Sequence, residues 1–198
     1  MAKNRRPGWA SNSKLGGFPL GTLVAIYIRA DDSATTDALL GEYPSAYTEP
    51  NTRFFGVDDR PYGWIPPEEK LCDLSARLDT EVIWLTFQSV VDAFGYHHWC
   101  RGTCLRSLVF GCNKEERTWE RSEGEAEFWE RDAIFTPEEL AFLLENAIDD
   151  ERKEYERIWR LSSPVPGQTV PCLDARETAR AVAIYYRLPG WSDDWAEA

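Results

Sequence analysis

Residues 81–88, EVIWLTFQ, form an almost unbroken apolar run rich in β-branched and aromatic side chains. Side chains alternate between the two faces of a strand, so a run without polar alternation has both faces to bury. This segment therefore reads as a strand near the middle of a sheet, and the rest of the chain must be arranged to cover it. Upstream, GTLVAIYIRA (21–30) reads as a first strand. Asp31 or Asp32 then caps a short helix over Ala34 to Leu40 that stops at Gly41. NTRFFGV (51–57) is a short strand, and RPYGWIPP (60–67) is too rich in Pro and Gly for regular structure. A helix from Pro67 to about Leu78 places Leu71, Leu74 and Leu78 on one face.

Downstream, strands are expected at about 90–99, 103–112 and 116–121, and 122–135 reads as a turn followed by an irregular or edge segment. Thr136-Pro137-Glu138-Glu139 starts a helix that runs to about Trp159. Its apolar stripe is interrupted only by Glu151, while Asp149 and Asp150 read as a solvated face. PVPGQTVP (164–171) is a linker, and Asp174 with Glu177 opens a last helix ending at Pro189-Gly190. The order β-α-β, α, several strands, then helices indicates an α+β fold. Its sheet is mainly antiparallel, with a ferredoxin-like β-α-β start and the helices grouped on one side. The division is a basic tail (1–17), an α+β domain (18–163), and a linker with a C-terminal helix packed on that domain (164–198).

Both histidines and two of the five cysteines fall in FGYHHWCRGTC, 94–104. The flanking segments read as a hairpin turning at Cys100-Arg101-Gly102, with Gly102 left-handed in a type I turn plus G1 bulge. That register sets His98 opposite Cys104, Tyr96 opposite Arg106 and Phe94 opposite Leu108. A two-residue turn at Arg101-Gly102 sets His97 opposite Arg106 and Gly95 opposite Leu108, which packs less well. His97 and His98 point to opposite faces and cannot share one ion without a local bulge. His98 and Cys104 remain as candidate metal ligands, with Cys100 poorly placed in the turn as a third, or as a candidate base and nucleophile. A structural zinc site needs four ligands, usually in close pairs, and C-x3-C across a glycine does not supply them. For thiol chemistry, Asp92 lies six strand residues from His98, about 20 Å away, too far to orient the imidazole. No phosphate loop, dinucleotide fingerprint, H-E-x-x-H or kinase set is present, so no cofactor is expected.

Charge narrows the partner. The chain carries 22 bases and 34 acids, a net of −12. Residues 1–17 hold Lys3, Arg5, Arg6 and Lys14 and no acid, so the tail is +4 and the remainder −16. A body of that sign repels phosphate backbones, which leaves only the tail for nucleic acid. No apolar run reaches membrane-span length and the N-terminus lacks a signal-peptide core, so no membrane association and a cytoplasmic location are expected. Five cysteines (Cys72, Cys100, Cys104, Cys112, Cys172) are an odd set in a chain with an ordinary core, which fits reduced thiols.

The most distinctive composition is ERTWERSEGEAEFWERDAIF, 116–135, where aromatics alternate with glutamates. One reading packs the aromatics inward. The other makes Trp119, Phe128 and Trp129 anchors within a rim of Glu123, Glu125 and Glu127 that attracts a basic protein. The succession of hairpin, CLRSLVFG and ERTWERSEGEAEFWE, over 92–130, resembles a pattern in small acidic bacterial proteins of uncharacterised families, some of which look like immunity or adaptor proteins. That resemblance implies no catalytic residue. The function expected is non-catalytic binding of a basic partner by an acidic aromatic surface, as an inhibitor, immunity-like protein or adaptor. One alternative is a small cytosolic enzyme or metal-binding protein using His98 and Cys104. Another is a subunit of a larger assembly, homo-oligomer included, docking through the basic tail and the C-terminal GWSDDW with Trp191 and Trp195.

Overall fold

A computed structural model describes residues 22–57, 68–112 and 117–191. The strands are β1 (Thr22–Arg29), β2 (Phe54–Val57), β3 (Glu81–Gln88), β4 (Ala93–Cys100), β5 (Thr103–Phe110) and β6 (Trp119–Gly124). The helices are α1 (Ser33–Glu42), α2 (Glu68–Arg77), α3 (Phe128–Ala133), α4 (Pro137–Asn146), α5 (Asp149–Leu161) and α6 (Ala175–Tyr186). The strands form one sheet in the order β2-β1-β3-β4-β5-β6, every neighbouring pair antiparallel. The chain is α+β. β3 lies inside the sheet between β1 and β4, and all six residues from Val82 to Phe87 are buried.

The two faces of β3 lead to two cores. Ile83, Leu85 and Phe87 join a cluster with Tyr96, Leu108, Trp119, Trp129, Ile158 and the α6 residues Ala179 and Val182. Val82 and Trp84 join another with Ile26, Ile28, Leu39, Leu71, Leu74 and Trp99. Helices thus cover both faces, α1 and α2 on one and α3, α5 and α6 on the other. They are not grouped on one side, because a central strand apolar on both faces leaves no face to water. The start is not ferredoxin-like either: β1 and β2 are adjacent and antiparallel, with no strand between them.

Local signals account for most element ends. Asp32 caps α1 by accepting from the Thr35 N–H at 2.7 Å, while Asp31 pairs with Arg29 and Arg53. Gly41 lies inside α1, which ends a residue later. The expected long helix from 136 to 159 is two helices. Ala147 and Ile148 are extended, and the Ile148 N–H donates to Glu151 Oε2 at 3.1 Å. Glu151 interrupts the apolar stripe because it closes the first turn of α5. The irregular segment expected over 122–135 instead contains the end of β6 and helix α3. The linker segment is tied to the sheet, since Trp119 N–H donates to Gln168 C=O and Gly167 N–H to Trp119 C=O. The basic tail, the 60–67 segment and Trp195 lie outside the described residues. Trp191 stacks near Phe87 and donates to Tyr27 Oη at 2.8 Å, as part of the fold.

The β4–β5 hairpin departs from the expected register. Arg101 (φ 50°) and Gly102 (φ 79°) form a two-residue turn with Cys100 opposite Thr103. Left-handed geometry at both central residues matches the twist of paired strands. Leu105 is then an extra residue, so Trp99 faces Cys104 and His98 faces Arg106. The turn docks on α2: Gly102 N–H donates to Ser75 Oγ and Cys72 Sγ–H to Gly102 C=O. A Cβ on Gly102 would also meet Ala76 Cβ at 3.1 Å. Gly102→Val should therefore destabilise the fold by about 1 kcal/mol or more. Urea melts with an unchanged midpoint would contradict this turn geometry.

Candidate functional site

The bulge at Leu105 decides what lies beneath α3. It turns Arg106 onto the same face as His98 and Tyr96, the face covered by α3 and α6. The Arg106 side chain is wholly buried. Its guanidinium donates to both oxygens of the equally buried Glu130, Nε to Oε1 at 2.8 Å and Nη2 to Oε2 at 2.6 Å. Its Nη1 donates to the carbonyl of Gly124 at 3.0 Å. Gly124 is left-handed (φ 84°), and a Cβ there would lie 1.9 Å from the Leu105 carbonyl, so only glycine fits beside the bulge. Glu130 Oε1 also accepts the Glu127 N–H at 2.8 Å, which fixes the first turn of α3.

Glu127 is the centre of a second polar layer. Its Oε2 accepts from Tyr96 Oη at 2.6 Å, Trp129 Nε1 at 2.6 Å and Tyr186 Oη at 2.8 Å. Its Oε1 accepts from His98 Nδ1 at 2.7 Å. Strands β4 and β5, helix α3 and the end of α6 thus meet through two carboxylates. On the other side of the ring, His98 Nε2 is 3.8 Å from Glu81 Oε2, and Glu81 pairs with Arg29. Burial pulls the His98 imidazole down, yet its hydrogen bond to Glu127 and the nearby negative charge of Glu81 hold it at about 9. Burial pushes the Glu127 carboxyl up, and the contacts with His98, Tyr96 and Tyr186 together more than reverse this, leaving it below the ordinary value. The pair is imidazolium and carboxylate at neutral pH. An imidazolium has no lone pair, so His98 at that pH is a clamp and not a base.

Several expected partners are separated. His98 and Cys104 do not form a site: Cys104 faces Trp99 and packs on the α2-side core, whereas His98 points to α3. His97 is buried against Ser107 Oγ at 2.9 Å, and burial pushes it down to about 4. Among the described residues no group of three or more His, Cys, Asp or Glu is placed to hold a metal, all five cysteines are free, and no helix is long and apolar enough to cross a membrane. Within the aromatic tract, Trp119 and Trp129 are core residues at 0% and 2% exposure, so they are not surface anchors. Phe128, between them in sequence, is 74% exposed. Glu123 and Glu125 are exposed, and Glu127 is the mostly buried clamp just described.

Above that clamp lies a cavity of about 480 Å³ whose walls include Cys104, Leu105, Glu125, Glu127, Phe128, Tyr185 and Tyr186. Leu105 is 40% and Tyr185 48% exposed. Sequence reasoning missed Arg106, Glu130, Leu105, Tyr185 and Tyr186 as parts of one place. One signal was available: an arginine inside TCLRSLVF, a strand otherwise suited to burial, demands a buried acid. Tyr185-Tyr186 at the end of α6 carried no such signal. No protein-family model matches the chain, and neither a curated protein nor a solved structure matches it.

Two measurements check this layer. Trp119→Ala and Trp129→Ala should each cost about 3–5 kcal/mol of folding free energy, while Phe128→Ala should change it by no more than about 0.5 kcal/mol. Urea melts with the opposite ranking would contradict the placement. For His98, titrating near 6.5 unfolded and about 9 folded, stabilisation is full below pH 6.5 and lost as pH rises through about 9. His97 acts in the opposite sense, losing stability as pH falls from 6.5 through about 4. Melts across the alkaline range should lose about 3 kcal/mol through His98, a loss that His98→Gln removes. An alkaline slope unchanged in that variant would contradict the clamp.

Proposed function

We propose that this protein is a non-catalytic protein-binding protein that recognises a basic partner through the surface formed by Phe128, Tyr185 and Leu105, rimmed by Glu123 and Glu125. The observation that carries the reading is Phe128, 74% exposed at the start of a helix whose first turn is locked from below by Arg106 and Glu130. A large ring held outward on a rigid base loses little conformational freedom when covered, which is what a binding anchor needs. The net charge of −12 favours a partner of opposite sign and speeds its encounter. An inhibitor or immunity-like protein is one concrete form of this role and an adaptor is another, as the resemblance over 92–130 implies.

An assembly-subunit reading has its own support in α4. That helix buries none of its residues, and Phe142 and the following Ile148 are 63% and 68% exposed. The enzyme reading loses support, because His98 is a buried cation turned away from Cys104.

Photo-crosslinking in the native cell tests the proposal. A photoreactive phenylalanine at position 128 or 185 should give a discrete protein adduct, and one at Leu40, exposed on α1, should not. Glu123→Gln with Glu125→Gln should reduce the adduct by slowing encounter. Equal adducts at Leu40 and position 128, or none at 128 and 185, would overturn the reading.

A further inference from the structure

We infer that the cavity between α3 and the end of α6 receives an arginine side chain of the partner. The inference rests on the protein-binding reading above and names what that surface recognises. Three kinds of group converge there. Phe128, Tyr185 and Tyr186 present aromatic rings, with Tyr185 and Tyr186 edge to face at a centroid separation of 4.9 Å. Leu105, pushed out by the bulge, adds an apolar wall. Glu125 and Glu127 supply carboxylates, and no Lys or Arg is among the described residues that line the space.

The two acids have different parts. Both Glu127 oxygens are occupied by the four donors of the clamp, and His98 offsets its charge. Glu125 is exposed and makes no hydrogen bond or ion pair among the described residues. It is the carboxylate left to pair with an incoming cation. The cavity volume of about 480 Å³ falls in the roughly 300–1,000 Å³ range of ligand cavities.

A guanidinium satisfies this set as no other protein side chain does. Its plane stacks on aromatic faces, its fork of N–H donors matches a carboxylate, and its weak hydration lets it leave water. A lysine ammonium is a compact, strongly hydrated charge that gains less from stacking. An apolar side chain would leave Glu125 covered and unpaired, at a desolvation cost.

The test uses the full chain and three blocked tripeptides, acetyl-Gly-X-Gly-amide with X as arginine, lysine or norleucine, followed by amide chemical shifts. The arginine peptide should give saturable shifts centred on Leu105, residues 124–128, Tyr185 and Tyr186. Glu125→Gln and Tyr185→Ala should each weaken it about tenfold, the ~1.4 kcal/mol expected of one stacking or ionic contact. The lysine peptide should bind more weakly, and norleucine should give no saturable shift. Equal affinity for lysine and arginine would overturn the assignment, as would shifts spread over the acidic surface and indifferent to both variants. If the arginine peptide fails while the Phe128 crosslink succeeds, the arginine assignment falls and the protein-binding reading stands. If the peptide binds and the crosslink fails, the cavity stands as a guanidinium site and the protein-binding reading falls.

Discussion

The buried pair of Arg106 and Glu130 is the interaction on which the rest of this face depends. Both side chains have no solvent exposure, and the guanidinium makes two short bonds to one carboxylate. An unpaired charge at that depth would cost several kcal/mol, so neither residue tolerates the other's absence. The pair also carries geometry. Arg106 holds the Gly124 carbonyl at the end of β6, and Glu130 holds the Glu127 N–H at the start of α3. The chain between those points is therefore pinned at both ends to one strand. Glu127 is placed within reach of His98, Tyr96 and Tyr186 as a result.

Much of the fold was legible in the sequence, while this network was not, and the failures have identifiable causes. β3 was read with its observed bounds because a continuous apolar run leaves no other assignment. The caps at Thr136 and Asp174 were legible, and that of α1 was narrowed to Asp31 or Asp32, because capping is local chemistry. The hairpin register was not, because two local features act together. A two-residue turn shifts the pairing by one position, and the bulge at Leu105 shifts it again. Without the bulge, a two-residue turn sets His97 against Arg106, a register that packs less well. The bulge itself depends on Gly124 of the neighbouring strand and on an ion pair with a residue 24 positions away. No window of sequence contains those causes together.

The aromatic tract shows the same limit. Alternation alone separates inward from outward residues in a strand, but residues 128–133 are helical. There Trp129 and Glu130 turn inward while Phe128 turns out, so composition placed an acid in the core and an aromatic in water. The buried acid was the less expected of the two. It follows from Arg106, which the strand pattern buries and which then requires a carboxylate.

Stability alone does not account for two ionic layers under this face. Buried ion pairs replaced by hydrocarbon of similar volume are often as stable or more so, because desolvating both charges offsets their attraction. Hydrocarbon packs in many nearly equivalent ways, whereas a bidentate guanidinium–carboxylate contact and a carboxylate holding four donors each allow essentially one. The two layers share Glu127, whose N–H is held by Glu130 and whose carboxylate is held by His98 and its neighbours. The next residue in the chain is Phe128. Its ring therefore projects from a backbone position set by hydrogen bonds from below, and the Tyr186 hydroxyl ties the opposite wall of the cavity to the same carboxylate. Under the proposed function, the conformational cost of shaping the surface is met on folding, not on binding.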